Sequence, residues 1–182
     1  DGRETEVHNT AQAIANGMAY VPSERKTEGL ILKSTVKKNA TLLRLKELKK
    51  ALGFDSAKEE TLTQEWIKKL RIKTPSSETV VESLSGGNQQ KVVLAKWMMN
   101  EPKILILNEP TRGIDVGAKA EIYRIIDEFC QQGLGVLMVS SEMAEVMSTS
   151  DRIAVVYNGE IRAEFTKAEA TQEKIMQKAI GE

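Results

Sequence analysis

Ile104-Leu105-Ile106-Leu107-Asn108-Glu109-Pro110-Thr111 is the stretch on which the fold turns. Its apolar run is unbroken, the pattern of a strand covered on both faces in a parallel sheet. Polar residues and Pro110 end it, and a Gly-containing loop follows. Residues 117–132 then read as a helix, with Ile122, Ile125, Ile126 and Phe129 on one face and Gly133 near its C-terminus. Leu137-Met138-Val139 reads as a second buried strand. Ser141-Glu142 opens another helix, with Met143, Val146 and Met147 inward. Upstream, residues 10–16 read as a short helix closed by Gly17. Met18-Ala19-Tyr20-Val21, stopped by Pro22, reads as a buried strand. Downstream, Ile153–Val156 and Ile161–Phe165 flank Asn158-Gly159, a type I′ hairpin signal. Residues 167–180 read as a last amphipathic helix. The alternation predicts an α/β fold with a parallel sheet core.

Between these parts, residues 31–99 change character. Up to about residue 80 they are rich in Lys, Leu and Glu, with helical spacing at Leu62, Trp66 and Leu70. They read as a mainly helical insertion, broken at Pro75-Ser76-Ser77. The whole chain has 182 residues, 41% hydrophobic and 29% charged, an ordinary globular composition. Lys plus Arg and Asp plus Glu are 26 each, so no basic surplus points to nucleic acid. One cysteine, Cys130, excludes an internal disulfide. No apolar run reaches the roughly 18 residues of a membrane span. The polar start, Asp1-Gly2-Arg3-Glu4, has neither Met nor a signal-peptide core, as expected of a processed product or an excised fragment.

Leu84-Ser85-Gly86-Gly87-Asn88-Gln89-Gln90 carries the clearest chemistry. A cap-competent serine and two glycines sit just before a helix expected over Lys91 to Met99. A helix N-terminus offers N–H groups and partial positive charge to an anion. Alone, Ser-Gly-Gly reads more plainly as a capped helix after a glycine turn. Its company changes the balance. Glu109 stands at the C-terminal end of a parallel strand, where such sheets bind ligands. There it can orient or deprotonate a water attacking a γ-phosphate. The plainer reading is a surface carboxylate. Gly113-Ile114-Asp115 forms a short loop before the next helix.

These residues together resemble the ABC ATPase family: the signature, then the Walker B strand, then the D-loop. The longer string Glu109 to Lys119 (EPTRGIDVGAK) and Val21 to Leu30 (VPSERKTEGL) narrow the resemblance. They are similar to the second of two fused ATPase halves in bacterial importers of ribose, galactose, xylose and similar monosaccharides. The resemblance runs over about residues 1–165. It implies a partial P-loop NTPase fold, with residues 1–30 and 100–165 as the α/β core. Residues 31–99 are then a helical subdomain ending in the signature helix, and 166–182 a C-terminal helix. It implies Glu109 as the catalytic carboxylate and Ser85, Gly86, Gly87 and Gln89 as the signature serving ATP in trans. Asn108 falls in the Walker B and Mg²⁺ region, Gly113, Ile114 and Asp115 in the D-loop, Ser23 at the Q-loop position and Ser141 at the switch position. It further implies ATP and Mg²⁺ in the full-length protein, at the cytoplasmic membrane face. The implied partners are the other ATPase half, permease subunits and, indirectly, a sugar-binding protein.

The sequence also departs from that family. No G-x-x-x-x-G-K-[ST] occurs in it. The family has this loop upstream of the matched residues, so the chain is expected to be the C-terminal part of a longer protein. No nucleotide or metal is expected to bind it tightly alone. Asn108 stands for the family's Walker B Asp, and an amide brings no charge to hold a cation. Ser23 stands for the Q-loop Gln and Ser141 for the switch His. These departures touch a half's own ATP site, whereas the signature serves the opposite one. An exposed sheet edge is expected to favour self-association.

Other residues take plainer readings. His8 is a surface histidine, Cys130 a small packing residue, and Trp66 and Trp97 are core or subdomain contacts. The basic run from Lys33 to Lys50 is a solvated helical face, or contacts permease subunits. Two other functions compete. One is a regulatory module that dimerises without turnover. The other is a non-transport ABC ATPase, whose long coiled coil residues 31–83 are too short and irregular to form.

Overall fold

In the computed structural model of the chain, residues 4–51 and 53–181 are described. They fall into two compact units, one ending at Val139 and one beginning at Ser140. In the first, α1 (Thr10–Ala15) is capped by Asn9, whose side chain accepts from Gln12 N. Strand β1 (Met18–Val21) follows, then a π-helical turn over Arg25–Gly29 and helix α2 (Val36–Ala40). Short antiparallel strands β2 (Lys49–Lys50) and β3 (Gly53–Phe54) precede α3 (Ser56–Lys69), which Asp55 caps. Next come α4 (Gly86–Met98), β4 (Ile104–Asn108), α5 (Val116–Cys130) and β5 (Gly135–Val139).

Strands β1, β4 and β5 form a parallel sheet in that order, with Tyr20, Ile106 and Leu137 in one row. Ala19, Val21, Leu105 and Leu107 point to one face and share a core with Val92 and Val93 of α4 and Ile122, Ile125 and Phe129 of α5. Burying Leu105 and Leu107 contributes about 1.5–3 kcal/mol each. The helical stretch joins this same core through Val36, Ala40, Leu70, Ile72 and Val81. Trp66 and Trp97 pack against it, as expected.

Among the described residues the strands are covered on one face only. Tyr20 (43%), Ile104 (40%), Leu137 (58%) and Val139 (52%) are exposed. Successive side chains alternate across a pleated strand, so these lie on the opposite face from Leu105 and Leu107. The apolar runs marked the positions of the strands. Cys130, expected to pack, is exposed at the last turn of α5.

In the second unit, α6 (Met143–Thr149) precedes the antiparallel strands β6 (Arg152–Tyr157) and β7 (Glu160–Thr166), and α7 (Gln172–Ala179) follows. Ile153, Val155 and Ile175 form its small core, with Met143, Val146 and Met147 packed on it as expected. Asn158 (φ +51°) and Gly159 (φ +82°) both take the positive φ of a type I′ turn. Helix α7 starts five residues later than its expected position at 167. Glu169 holds the preceding turn by accepting from Thr166 N (3.0 Å) and Thr166 Oγ1 (2.6 Å). Thr171 then caps the helix through Lys174 N.

Candidate functional site

Helix α4 begins at Gly86, not near Lys91, so both signature glycines lie in its first turn. Ser85 is the N-cap, with extended backbone (φ −61°, ψ 156°). Its hydroxyl accepts from the Asn88 side-chain Nδ2 at 2.9 Å and lies 3.5 Å from Asn88 N. Asn88 Oδ1 in turn accepts from Lys73 N at 2.8 Å. Asn88 thus ties the serine cap to the residue 73 backbone, rather than returning to Ser85 N as the third residue of a capping box would. Helix geometry leaves the first-turn amides of Gly86 and Gly87 without intrahelical acceptors.

The glycines are required by packing within the chain. A Cβ on Gly87 would lie 2.5 Å from Ala118 Cβ, and one on Gly86 would lie 2.7 Å from Arg25 Nη2 and 3.2 Å from Gly113 O. The N-terminus of α4 is thereby pressed against that of α5. Asp115 caps α5, its Oδ1 accepting from Ala118 N at 2.9 Å. Two capped helix N-termini thus open on one cleft of about 310 Å³, which Ser85, Gly87, Asn88, Asp115 and Gly117 help line. Lys91, 2% exposed, closes its floor. Its Nζ donates to Glu121 Oε2 at 2.6 Å and to Arg71 O at 3.0 Å. That pairing with Lys91 holds the Glu121 carboxyl below its usual range.

Gln89, expected beside the signature serine, is not on this cleft. It is buried, and its Nε2 donates to Val81 O at 3.2 Å. One residue is about 100° around a helix, so Asn88 faces the cap while Gln89 faces the core. Asn88 and Arg25, which the sequence reading did not single out, stand against Ser85 and Gly86. The first had a signal, the Ser-x-x-Asn spacing.

At the end of the sheet, Asn108 closes β4 in register with Val139, and its Nδ2 donates to Tyr20 Oη at 3.3 Å. Glu109 comes next, with φ +48°, a conformation costly for a residue with a side chain. Its N–H donates to Val139 O at 2.8 Å and its carbonyl accepts from Arg112 N at 3.1 Å. Backbone held in a sparse region marks many functional sites. Ser23 lies two residues beyond β1, half-buried, at this same C-terminal edge. In the loop that follows, Gly113 takes φ +65° and Ile114 is buried. Ser141 belongs to the second unit, where it is exposed just before α6. A larger groove of about 1020 Å³, lined by Trp66, Lys69, Ile104 and Phe129 among others, includes none of the expected site residues.

The chain is similar to known proteins over nearly its whole length. The chain is 53% identical over its full length to the xylose import ATP-binding protein XylG of Geobacillus kaustophilus, covering 36% of that protein. It is 49% identical to a putative ribose/galactose/methyl galactoside import ATP-binding protein of Rhizobium etli, again over the whole chain and 34% of the relative. It is 46% identical over 99% of its length to the ribose import ATP-binding protein RbsA of Caldanaerobacter subterraneus, covering 36% of it. The chain thus spans about a third of the length of these relatives. Its fold matches an ATP-binding cassette of an ABC transporter in the ADP conformation, with TM-score 0.69 and 19% identity over 94% of this chain and 71% of the other. A nucleotide-free cassette matches with TM-score 0.73 and 19% identity over 94% and 72%. The family model described as ABC transporter matches residues 1–112, more than half of the chain. The chain belongs to the ABC transporter family, as a part of its ATPase domain.

Proposed function

We propose that this chain is the signature-bearing part of the ATP-binding subunit of a bacterial monosaccharide importer. The observation that carries this reading is the cleft where the capped N-termini of α4 and α5 meet beside Ser85. The first-turn amides of α4 and the Ser85 hydroxyl suit the triphosphate of an ATP, with Lys73 and Lys91 offsetting the Asp115 and Glu121 carboxylates that also line the cleft. That ATP sits on the P-loop of a partner ATPase half, as the resemblance of Ser85, Gly86 and Gly87 to a signature motif implies. Ser85, Gly86, Gly87 and Asn88 close over its γ-phosphate, and Gly113 to Asp115 complete the contact. Closure and hydrolysis are passed to permease subunits, which a sugar-binding protein supplies. The assembly works at the cytoplasmic face of the membrane; no helix among the described residues is long and apolar enough to cross it. The names of the similar proteins favour a pentose or hexose as cargo.

For a nucleotide on this half's own P-loop, Glu109 takes the part of the carboxylate that orients the attacking water. The residues around it do not fit a Mg²⁺ ion. Asn108 is neutral, its Nδ2 is turned to Tyr20, and no group of three or more His, Cys, Asp or Glu among the described residues is placed to hold a metal. No step is assigned to a metal held by this chain. With Ser141 at the switch position, this half's own site is the weaker of the two. Ser85→Arg in the complete ATPase tests the reading. Turnover is abolished if Ser85 acts in trans; near-normal ATPase overturns it.

A further inference from the structure

Glu24-Arg25-Lys26 follows β1 as a charged triplet of the kind usually found solvated. Arg25 is instead half-buried, and its Nε is buried without a hydrogen-bond partner. Its Nη1 donates to Arg112 O at 2.6 Å and its Nη2 to Gly113 O at 3.1 Å. The same Nη2 lies against Gly86, where an added Cβ would meet it at 2.7 Å. Glu24 adds a second fastening, its Oε1 lying 2.7 Å from Arg112 Nη1. At the far end of the turn, Gly29 O accepts from Lys96 Nζ of α4 at 2.6 Å, and a Cβ on Gly29 would lie 3.2 Å from Val93. The 24–29 turn is therefore bolted to the 112–115 loop at one end and to α4 at the other. A guanidinium can serve two adjacent carbonyls at once because its donors form a rigid fork, and an ammonium cannot reproduce that geometry.

We propose that Arg25 is a positioning residue for ATP turnover: its guanidinium locks the 112–115 loop to the first turn of α4, so that Ser85 and Asp115 present to the nucleotide as one rigid unit. The proposal rests on the trans-signature reading above. Arg25 itself touches no nucleotide; it acts through the carbonyls of residues 112 and 113 and through Gly86. Losing it leaves ATP bound by the partner half but misaligns the groups that close over it. A misplacement of about 1 Å can cost up to two orders of magnitude in rate.

The test is steady-state ATPase of the complete ATPase carrying Arg25→Ala, Arg25→Lys or Ser85→Arg, each expressed per folded enzyme. Arg25→Ala is expected to lower kcat roughly tenfold or more, with KM for ATP within about twofold. Arg25→Lys restores only part of the loss, because it keeps the charge without the fork. If Arg25→Ala does not fold, Arg25→Lys alone decides: lowered kcat at unchanged KM supports the proposal, and parental kinetics overturn it. A double-mutant cycle with Gly86→Ala adds a readout that a general loss of stability would not move. The new Cβ runs into the guanidinium, so Gly86→Ala is expected to lower kcat less in the Arg25→Ala background, and additive effects refute the contact. If Ser85→Arg abolishes turnover while Arg25→Ala leaves kcat within twofold, the Arg25 proposal fails and the trans-signature reading stands. If Ser85→Arg retains turnover, the trans-signature reading itself fails, and this proposal with it.

Discussion

Replacing Gly87 with Ala probes the closest approach in the candidate site. The added Cβ would lie 2.5 Å from Ala118 Cβ, with Ile114 Cγ2 at 3.8 Å. Carbon atoms rest at about 3.5–4.0 Å, so the first turns of α4 and α5 must part by about 1 Å. Gly87 is buried and its φ lies outside the left-handed region, so backbone strain does not enter. Overpacking of this kind costs about 1–3 kcal/mol. Exchange of Gly for Ala in a helix returns up to about 1 kcal/mol. At the middle of the overpacking range the net loss is about 1–2 kcal/mol, which for a chain of this size lowers Tm by roughly 2–8 °C. Tryptophan fluorescence follows it directly, because Trp66 and Trp97 both pack against the core of the first unit. Ala118→Gly removes the opposing methyl group, so Gly87→Ala is expected to cost less in that background. A Gly87→Ala chain as stable as the parent, or more so, would show that α4 and α5 do not meet as tightly as described.

Other perturbations read other parts of the structure. Lys91→Ala removes a buried ammonium and its stem, leaving Glu121 and Arg71 O without their partner. A loss of about 2–4 kcal/mol is expected in urea denaturation. Lys96 is buried with its Nζ on Gly29 O, and burial lowers its pKa from the ordinary 10.5. The unfolded chain therefore binds more protons between the lowered value and 10.5, and the Lys96 contribution to stability rises with pH across that window. Lys96→Met is expected to abolish that increment when the two stability–pH curves are subtracted; identical slopes would count against it. Gly159→Ala forces a side chain into φ +82° and is expected to destabilise the hairpin by about 1–2 kcal/mol, read as faster hydrogen exchange at the β6–β7 amides.

Much of this was legible in the sequence for local reasons. The strands at Met18 and Ile104 are short apolar runs, and Asn158-Gly159 spells its turn in the only dihedrals that suit it. Capping was legible as well, although α4 starts five residues early because Ser85 caps Gly86 directly. What escaped depends on contacts between distant segments. Burial of both sheet faces was inferred from the unbroken apolar runs, whereas within this part of the domain Leu137 and Val139 are exposed. Gln89 was placed by adjacency to the motif, whereas helical phase sends it to Val81 and leaves Asn88 at the cap. Arg25 reaches backbone carbonyls 87 and 88 residues away, and carbonyl acceptors leave no trace in residue identity. The need for the two glycines was not legible in the motif. Part of the reason lies inside the chain, in Arg25 and Ala118.

Titration calorimetry with ATP and Mg²⁺ addresses most directly whether the cleft beside Ser85 serves a nucleotide held by another half. The chain alone is expected to give no binding heat at nucleotide concentrations up to about 1 mM, near −4 kcal/mol. Binding is expected to appear once the partner half supplies its P-loop. A micromolar Kd for the chain alone, on the order of −8 kcal/mol, would mean that it holds a phosphate site of its own and would contradict the trans arrangement.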